Sequence, residues 1–305
     1  KDGWRNFYLR YEYTDTAFPQ RIKDISNLNQ WNGEKFDGTL YVHGEQGVGD
    51  QILHSSMIAD LYKIHPDICL TVEKRLLSVF KRSFDYINVI SYDLSLKFNV
   101  NDQHVLLVSL GEFLRKSIDN FKDRPLPFII PSQEKVENYR KSLSKFKKIK
   151  IGLSWRTTGP SSNERIVSLE KLSKIITHKY FEFINLQYGD TSIERELFKV
   201  KYGKEIITID DLDLLNDFEG IAAVISCCDL ILTISNVTAH LAGSIGKNTW
   251  VMIPVDTQWH WFRKRKNSLW YPNIQLFRQN EYGVWDNILK SVHNELIRKF
   301  NRENL

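Results

Sequence analysis

The sequence predicts an α/β protein built from two doubly wound, Rossmann-like domains that face a central cleft. Three observations predict it. A β-rich run at Thr39–His43 passes through a glycine loop into helical apolar spacing. Prolines at 125, 127 and 131 and a lysine-rich stretch ending at Lys148 then break the rhythm. A second series of short apolar runs starts at Ile149. Strand, glycine loop and helix in succession open an α/β unit. Two such series imply two parallel sheets, each presenting its ligand loops at the carboxyl ends of its strands.

Taken in order, residues 1–38 are aromatic and polar without a sustained period and read as an arm laid on the body. From 39 to 146 an N-terminal, acceptor-side domain is expected. Its strand at Thr39–His43 leads through Gly44–Gly49 to a helix from Asp50, with Leu53, Met57, Leu61 and Ile64 on one face. Ile68–Val72 and Val105–Ser109 read as strands and Lys74–Ser83 as a helix, with a surface helix at 132–148. The second, nucleotide-binding domain, 147–283, places strands at Ile149–Trp155, Phe181–Gln187, Glu205–Ile209, Asp229–Ile234 and Thr249–Pro254. Helices are expected at Leu169–Thr177, Phe218–Cys227 and Thr238–Ile245. The spacing Trp285, Ile288, Leu289, Val292, Leu296 predicts a final amphipathic helix within 284–305, expected to pack back on the first domain.

Composition narrows the class. The 305 residues suit about two domains, and 42% hydrophobic with 26% charged excludes a disordered or fibrous chain. The formal charge of +5 favours anionic ligands slightly and does not imply nucleic acid. Three cysteines, two of them adjacent (Cys227, Cys228), form neither a disulfide framework nor a CxxC zinc pattern, so a reducing, cytoplasmic setting fits. No run reaches the ~20 apolar residues of a membrane span; the longest, Ile221–Ile234, contains Asp229. The start has no apolar leader core and no initiator Met, which suggests a domain from a longer protein.

Three loops carry the chemistry. In Gly44-Glu45-Gln46-Gly47-Val48-Gly49-Asp50 the glycines let backbone approach a ligand, and the following helix offers free N–H groups. It is neither a Walker loop nor a GxGxxG fingerprint. Asp50 reads equally as the N-cap of that helix or as a general base acting on a hydroxyl. In Ile234-Ser235-Asn236-Val237-Thr238-Ala239-His240-Leu241-Ala242-Gly243, a helix start lined by small residues would admit a diphosphate. There His240 is either a phosphate donor or a packing residue. In Gly152-Leu153-Ser154-Trp155-Arg156-Thr157-Thr158, Arg156 and the hydroxyls suit an anion and Trp155 a cleft wall, or the segment is an ordinary strand end. Gln187 and Tyr188 end the next strand, where a nucleoside base would lie. The run Trp259-His260-Trp261-Phe262-Arg263-Lys264-Arg265-Lys266 reads as an exposed loop cradling a ligand better than as a nucleic-acid patch.

These segments, followed by Trp270-Tyr271-Pro272 and Leu276-Phe277-Arg278-Gln279, resemble in order the glycosyltransferase-like domain that follows tetratricopeptide repeats in many bacterial proteins. That domain is related to the heptosyltransferases of lipopolysaccharide synthesis, glycosyltransferase family 9. The resemblance spans roughly residues 31–298. It implies a GT-B fold, a nucleotide-sugar donor held by the C-terminal domain, no cofactor and no metal. It implies transfer to a hydroxyl acceptor, either a glycan or a protein such as flagellin recruited by a repeat domain, with inversion. It places Asp50 as base; Trp155, Arg156, Thr157, Gln187, Tyr188, Asn236, Thr238, Ala239, His240 and Gly243 on the donor; and Glu45, Gln46, Gly47, Gly49, Trp259, Trp261 and Arg263 around the acceptor. One departure stands out: Ser235-Asn236-Val237 replaces the family's usual Thr-Asp-Thr. It keeps two rivals in view, a nucleotide-sugar-binding module without turnover and a nucleotide-sugar 2-epimerase.

Overall fold

The computed structural model describes residues 3–4, 28–92, 97–122, 126–158 and 162–300. The chain divides into two compact units, Lys1–Ile130 and Pro131–Leu305. The division precedes the 132–148 helix that the sequence reading had put in the first domain. That helix, observed at 133–143, belongs to the second unit because it packs on the helix Phe218–Cys227, where Lys135 pairs with Asp217 at 3.0 Å.

The first unit is a parallel sheet in the order β1-β5-β2-β3-β4. Its strands are β1 (Asn29–Gln30), β2 (Leu40–His43), β3 (Ile68–Val72), β4 (Asn88–Ser91) and β5 (Gln103–Leu106). Strand β1 and the buried Trp31 lie inside the segment read as an arm. The arm therefore ends as the edge of the sheet, with the Trp31 ring tilted against Phe113 at 4.8 Å. Most of the rest of that segment, residues 5–27, lies outside the described residues. The single helix expected from Asp50 is two, α1 (Val48–Ser55) and α2 (Ile58–Ile64), broken at Ser56–Met57. Helix α3 (Leu77–Ser83) follows a 3₁₀ turn at Lys74–Leu76. Strand β5 stops at Leu106, three residues short of the expected end, because a 3₁₀ turn (Leu107–Ser109) and α4 (Leu110–Leu114) take over.

The second unit begins with α5 (Gln133–Leu143) and carries a parallel sheet in the order β11-β10-β9-β6-β7-β8. In chain order come β6 (Ile149–Ser154), α6 (Ser162–Arg165), α7 (Ser173–Ile176), β7 (Phe181–Asn185), α8 (Ser192–Tyr202), β8 (Ile206–Ile207), α9 (Phe218–Cys227) and β9 (Leu230–Ile234). Then follow α10 (Val237–Ser244), β10 (Thr249–Ile253), β11 (Ile274–Arg278) and α11 (Asp286–Phe300). The apolar runs of β9 and β10 are buried on both faces, as a parallel sheet covered by helices requires. Helix α11 falls within the second unit. Its apolar stripe, Ile288, Leu289, Val292 and Leu296, completes the core of the second, beside Phe181, Phe183 and Trp250. Strands β4 and β11 and helix α8 lay outside the expected elements.

Both sheets reverse direction once. In the first, β3 and β4 extend from one side of β2, and β5 pairs on the other. In the second, β7 and β8 extend from one side of β6, and β9, β10 and β11 from the other. Open α/β sheets bind ligands outside the carboxyl ends of their strands at such switch points.

Candidate functional site

At the switch point of the second sheet, the ends of β6, β7 and β9 are tied together by two amides. Asn236 is the N-cap of α10: its Oδ1 accepts from the Thr238 and Ala239 backbone N–H groups at 3.1 and 3.4 Å and from the Thr233 hydroxyl at 3.0 Å. Its Nδ2 donates to Ser154 Oγ at 2.8 Å and to the Arg156 carbonyl at 3.2 Å, bridging the strands on either side of the switch. Gln187 does the complementary task. Its Oε1 accepts from the Trp155 and Arg156 backbone N–H groups at 2.8 and 2.7 Å and from the Ser154 hydroxyl at 3.1 Å, while its Nε2 donates to the Tyr188 carbonyl. These peptide groups lie beyond the last ladder bonds and would be orphaned without side-chain partners. The departure at 236 now has a physical reason: only a residue with both an acceptor and a donor can make this set of bonds, and an aspartate would face the Arg156 carbonyl.

Around this knot the expected donor residues divide. Arg156 is accessible, pairing at 3.2 Å with Glu194; Thr157 and Tyr188 join hydroxyl to hydroxyl at 3.2 Å. Trp155 is not a cleft wall: it is fully buried in the core, with its indole N–H on the Glu194 carboxylate at 3.2 Å. Thr238, Ala239 and Ala242 are buried, and Gly243 serves packing, since a Cβ there would lie 2.6 Å from the Tyr271 ring. His240 is buried as well. Its ring stacks on Trp261 (5.4 Å, 14°), and its Nδ1 meets the Tyr271 hydroxyl at 3.2 Å. Burial pushes its pKa down to about 3, so the imidazole is neutral at neutral pH.

The aromatic loop after β10 closes this arrangement from one side. Trp261 is fully buried and donates from its indole to Ser235 Oγ at 2.7 Å, which in turn donates to Gln258 Oε1 at 2.7 Å. Arg278 donates to the carbonyls of Trp261 and Phe262. Phe262 and Lys264 have positive φ (50° and 62°), a conformation that non-glycine residues rarely hold without such fastening. Trp259 and Arg263 are exposed. Ser154, Glu194, Ser235 and Gln258 were not selected from the sequence; their partners come from other strands and leave no spacing signal.

The glycine loop stands at the switch point of the first sheet. Asp50 is the third residue of α1 rather than its N-cap, which is Gly47; its Oδ2 accepts from the Gly47 N–H at 3.2 Å. It is half-buried, whereas Gln46 (φ 61°) and Gly47 are exposed and Glu45 is buried. Gln46, Gly47 and Val48 line a cavity of about 490 Å³ with Lys74, Arg75 and Tyr92, at the carboxyl ends of β2, β3 and β4. Glu73 and Arg75 form a bidentate pair on its wall. Beneath the loop His43 is buried, its Nδ1 2.8 Å from the Thr71 hydroxyl, and burial with the neighbouring His104 pushes its pKa to about 3. Among the described residues no group of three or more His, Cys, Asp or Glu could hold a metal ion, and no helix is long and apolar enough to cross a membrane.

Two parallel sheets with helices, each with one switch point, are the arrangement found in solved glycosyltransferases. The chain is similar to heptosyltransferase II of E. coli, with TM-score 0.59 and 12% identity over 88% of this chain and 100% of that one. It is similar to a family 9 glycosyltransferase from Veillonella parvula, with TM-score 0.53 and 12% identity over 89% of this chain and 92% of that one. The fold is GT-B. An iron-containing dodecameric glycosyltransferase, TibC of enterotoxigenic E. coli, shares it at TM-score 0.52 and 10% identity over 89% of this chain and 78% of that one. In sequence, the chain is 28% identical over 307 aligned positions to protein FlbA of Caulobacter vibrioides. That alignment takes in 93% of this chain and 50% of FlbA, so the chain spans about half the length of the curated relative it matches. No family model matches the chain.

Proposed function

We propose that the chain transfers a sugar from a nucleotide-sugar donor to a hydroxyl acceptor, without a metal and with inversion. The observation that carries this reading is the switch point of the second sheet. There Asn236 and Gln187 lock three strand ends together, and Arg156, Thr157 and Tyr188 remain at the rim as hydrogen-bonding groups for the donor. Transfer breaks the bond from the anomeric carbon to the diphosphate oxygen and forms one to the acceptor oxygen. The developing phosphate charge needs donors already in place, which a rigid rim with an Arg and the start of α10 supplies. The acceptor proton needs a base. Asp50 takes that role in the proposal because it is a half-buried carboxylate in the first turn of α1, directly after the glycine loop that lines a cavity with Lys74 and Arg75.

The corrections above narrow the donor contacts. Trp155, Gln187, Asn236, Thr238, Ala239 and Gly243 act by holding the rim in shape, and Arg156, Thr157 and Tyr188 are the nearer candidates for contact. The acceptor, a glycan or a protein hydroxyl, and a recruiting repeat domain remain parts of the proposal, as does a cytoplasmic setting. One observation favours a second reading. Asn236 Oδ1 already occupies the Thr238 and Ala239 N–H groups, so a diphosphate finds fewer free amides there than a bare helix start would offer. A module that binds the nucleotide-sugar without turnover would show that feature too.

A thermal-shift and calorimetry panel of ADP, UDP, GDP and CMP, followed by product analysis with the matching sugar nucleotide, tests both. The expected result is one nucleotide that stabilises the protein and whose sugar appears on an acceptor. Binding with no product on any acceptor favours the module, an epimerised donor the 2-epimerase, and binding of none of the four overturns the reading.

A further inference from the structure

We infer that the chain associates with a second copy of itself through helix α8, in an antiparallel helix pair. Helix α8 rests on the core of the second unit by Phe198, which is buried, with Tyr202 of the same helix packed beside it at 4.7 Å. The opposite face of such a surface helix is ordinarily polar. Here it carries Ile193, Leu197 and Val200, exposed by 74, 64 and 76%, three of the four most exposed large hydrophobic residues among those described. Their i, i+4, i+7 spacing puts them within an arc of about 60°, a single apolar ridge. Beside the ridge runs a groove of about 470 Å³ between α8 and the edge strand β8, lined by Ile193, Leu197, Ile206, Glu196 and Lys199. Exposed contiguous apolar surface next to a groove marks an interaction site.

Charge order selects the occupant. Along α8 the charged residues run Glu194, Arg195, Glu196, Lys199 and Lys201, so both acidic residues lie in the first half and the last half is basic only. Glu194, Arg195 and Lys201 are engaged within the unit, by Arg156, by the Thr191 hydroxyl and by Glu170. Glu196 and Lys199 are left together on the groove side of the ridge, Lys199 with only a 3.5 Å contact to Glu205. Two copies laid antiparallel about Leu197 set Ile193 against Val200 of the other copy. On the groove side they set Glu196 against Lys199 of the other copy, twice by symmetry. A parallel pair would set like charges side by side. The contact is closed by a two-fold axis. An 11-residue helix about 16 Å long gives a small interface, so the association is expected to be weak and reversible.

Sedimentation velocity of the 305-residue chain between about 1 and 200 µM tests this, with circular dichroism to verify folding of each surface variant. The wild type should shift from monomer toward dimer across that range, and Leu197→Glu should weaken association at least about tenfold. Glu196→Lys alone and Lys199→Glu alone should each be monomeric, and an equimolar mixture of the two should dimerise, because only the mixed antiparallel pair restores both charge pairs. A monomeric wild type, unchanged association in Leu197→Glu, or a mixture no more associated than its components overturns the inference. Occupation of the ridge by a different protein would give the first of these results.

Discussion

The glycine loop of the first sheet and the Ser235–Asn236 turn of the second are the same supersecondary unit. Each lies at a switch point between a parallel strand and a following helix, and each has a polar residue bonding to backbone at the helix start. They are built to opposite ends. After β2 the chain is open: Gln46 and Gly47 are exposed, and Asp50 is half-buried, its Oδ2 accepting from the Gly47 N–H at 3.2 Å. After β9 almost everything is buried, and Asn236 spends all its hydrogen-bonding capacity on neighbouring strand ends and its own helix. A carboxylate that is to accept a proton must stay accessible. An amide that holds strand ends in register must not.

The largest expected effect tests the open side. Asp50→Asn should lower transfer by about 10²–10⁴-fold while nucleotide affinity stays within a few-fold, read as kcat against donor Kd. Near-normal turnover would remove the base role and leave Asp50 as a helix-start residue alone. Next comes the closed side. Asn236→Ala should cost about 2–4 kcal/mol in urea denaturation, since it removes a helix cap and leaves buried groups unpaired. Asn236→Asp keeps the accepting oxygens but loses the amide donation to the Arg156 carbonyl, and should cost about 1–3 kcal/mol. If Asn236→Asp is neutral, the knot is not what holds β6 to β9.

A smaller effect compares the buried histidines near the two turns, His43 and His240, both held to a pKa of about 3 by burial. Unfolded, each takes up its proton near pH 6.5, so between about 6.5 and 3 the unfolded chain binds more protons. Stability therefore falls as pH is lowered through that window, by up to about 1.4 kcal/mol per pH unit per histidine. Urea curves at pH 7 and pH 5 should show the difference shrinking in His43→Gln and again in His240→Gln. An unchanged difference in either variant means that histidine is charged in the folded protein. The smallest effect is at Gln46, whose φ of 61° glycine adopts freely. Gln46→Gly should change stability by no more than about 1 kcal/mol, relief of backbone strain offsetting the lost chain entropy.

Strands β2, β3, β6, β9 and β10 were legible within one or two residues because parallel strands buried on both faces read as continuous apolar runs. The edge elements were not. β1 has two residues, β4 begins with the exposed Asn88, and α8 turns its apolar ridge outward. The glycine loop and the strand ends carrying Arg156, Gln187 and Asn236 were also legible as places, since polar residues that follow an apolar run mark where a strand leaves the sheet. What each side chain does there was not. Trp155, Gly243 and His240 read as ligand-facing, and they pack instead into the core, against Tyr271 and against Trp261.

The amino-acid order alone determined the α/β class, the two series of strands and the loops where they end, because hydrophobic periodicity and turn residues act over a few neighbours in the chain. Only the tertiary structure decided that Asn236 reaches back 82 residues to Ser154, that Gln187 holds the end of β6, and that α11 completes the core of the second unit. Those pairings depend on which strands lie side by side. Strand order in a parallel sheet follows from crossover connections and core packing across the whole unit, for which no local pattern of residues is a sufficient code.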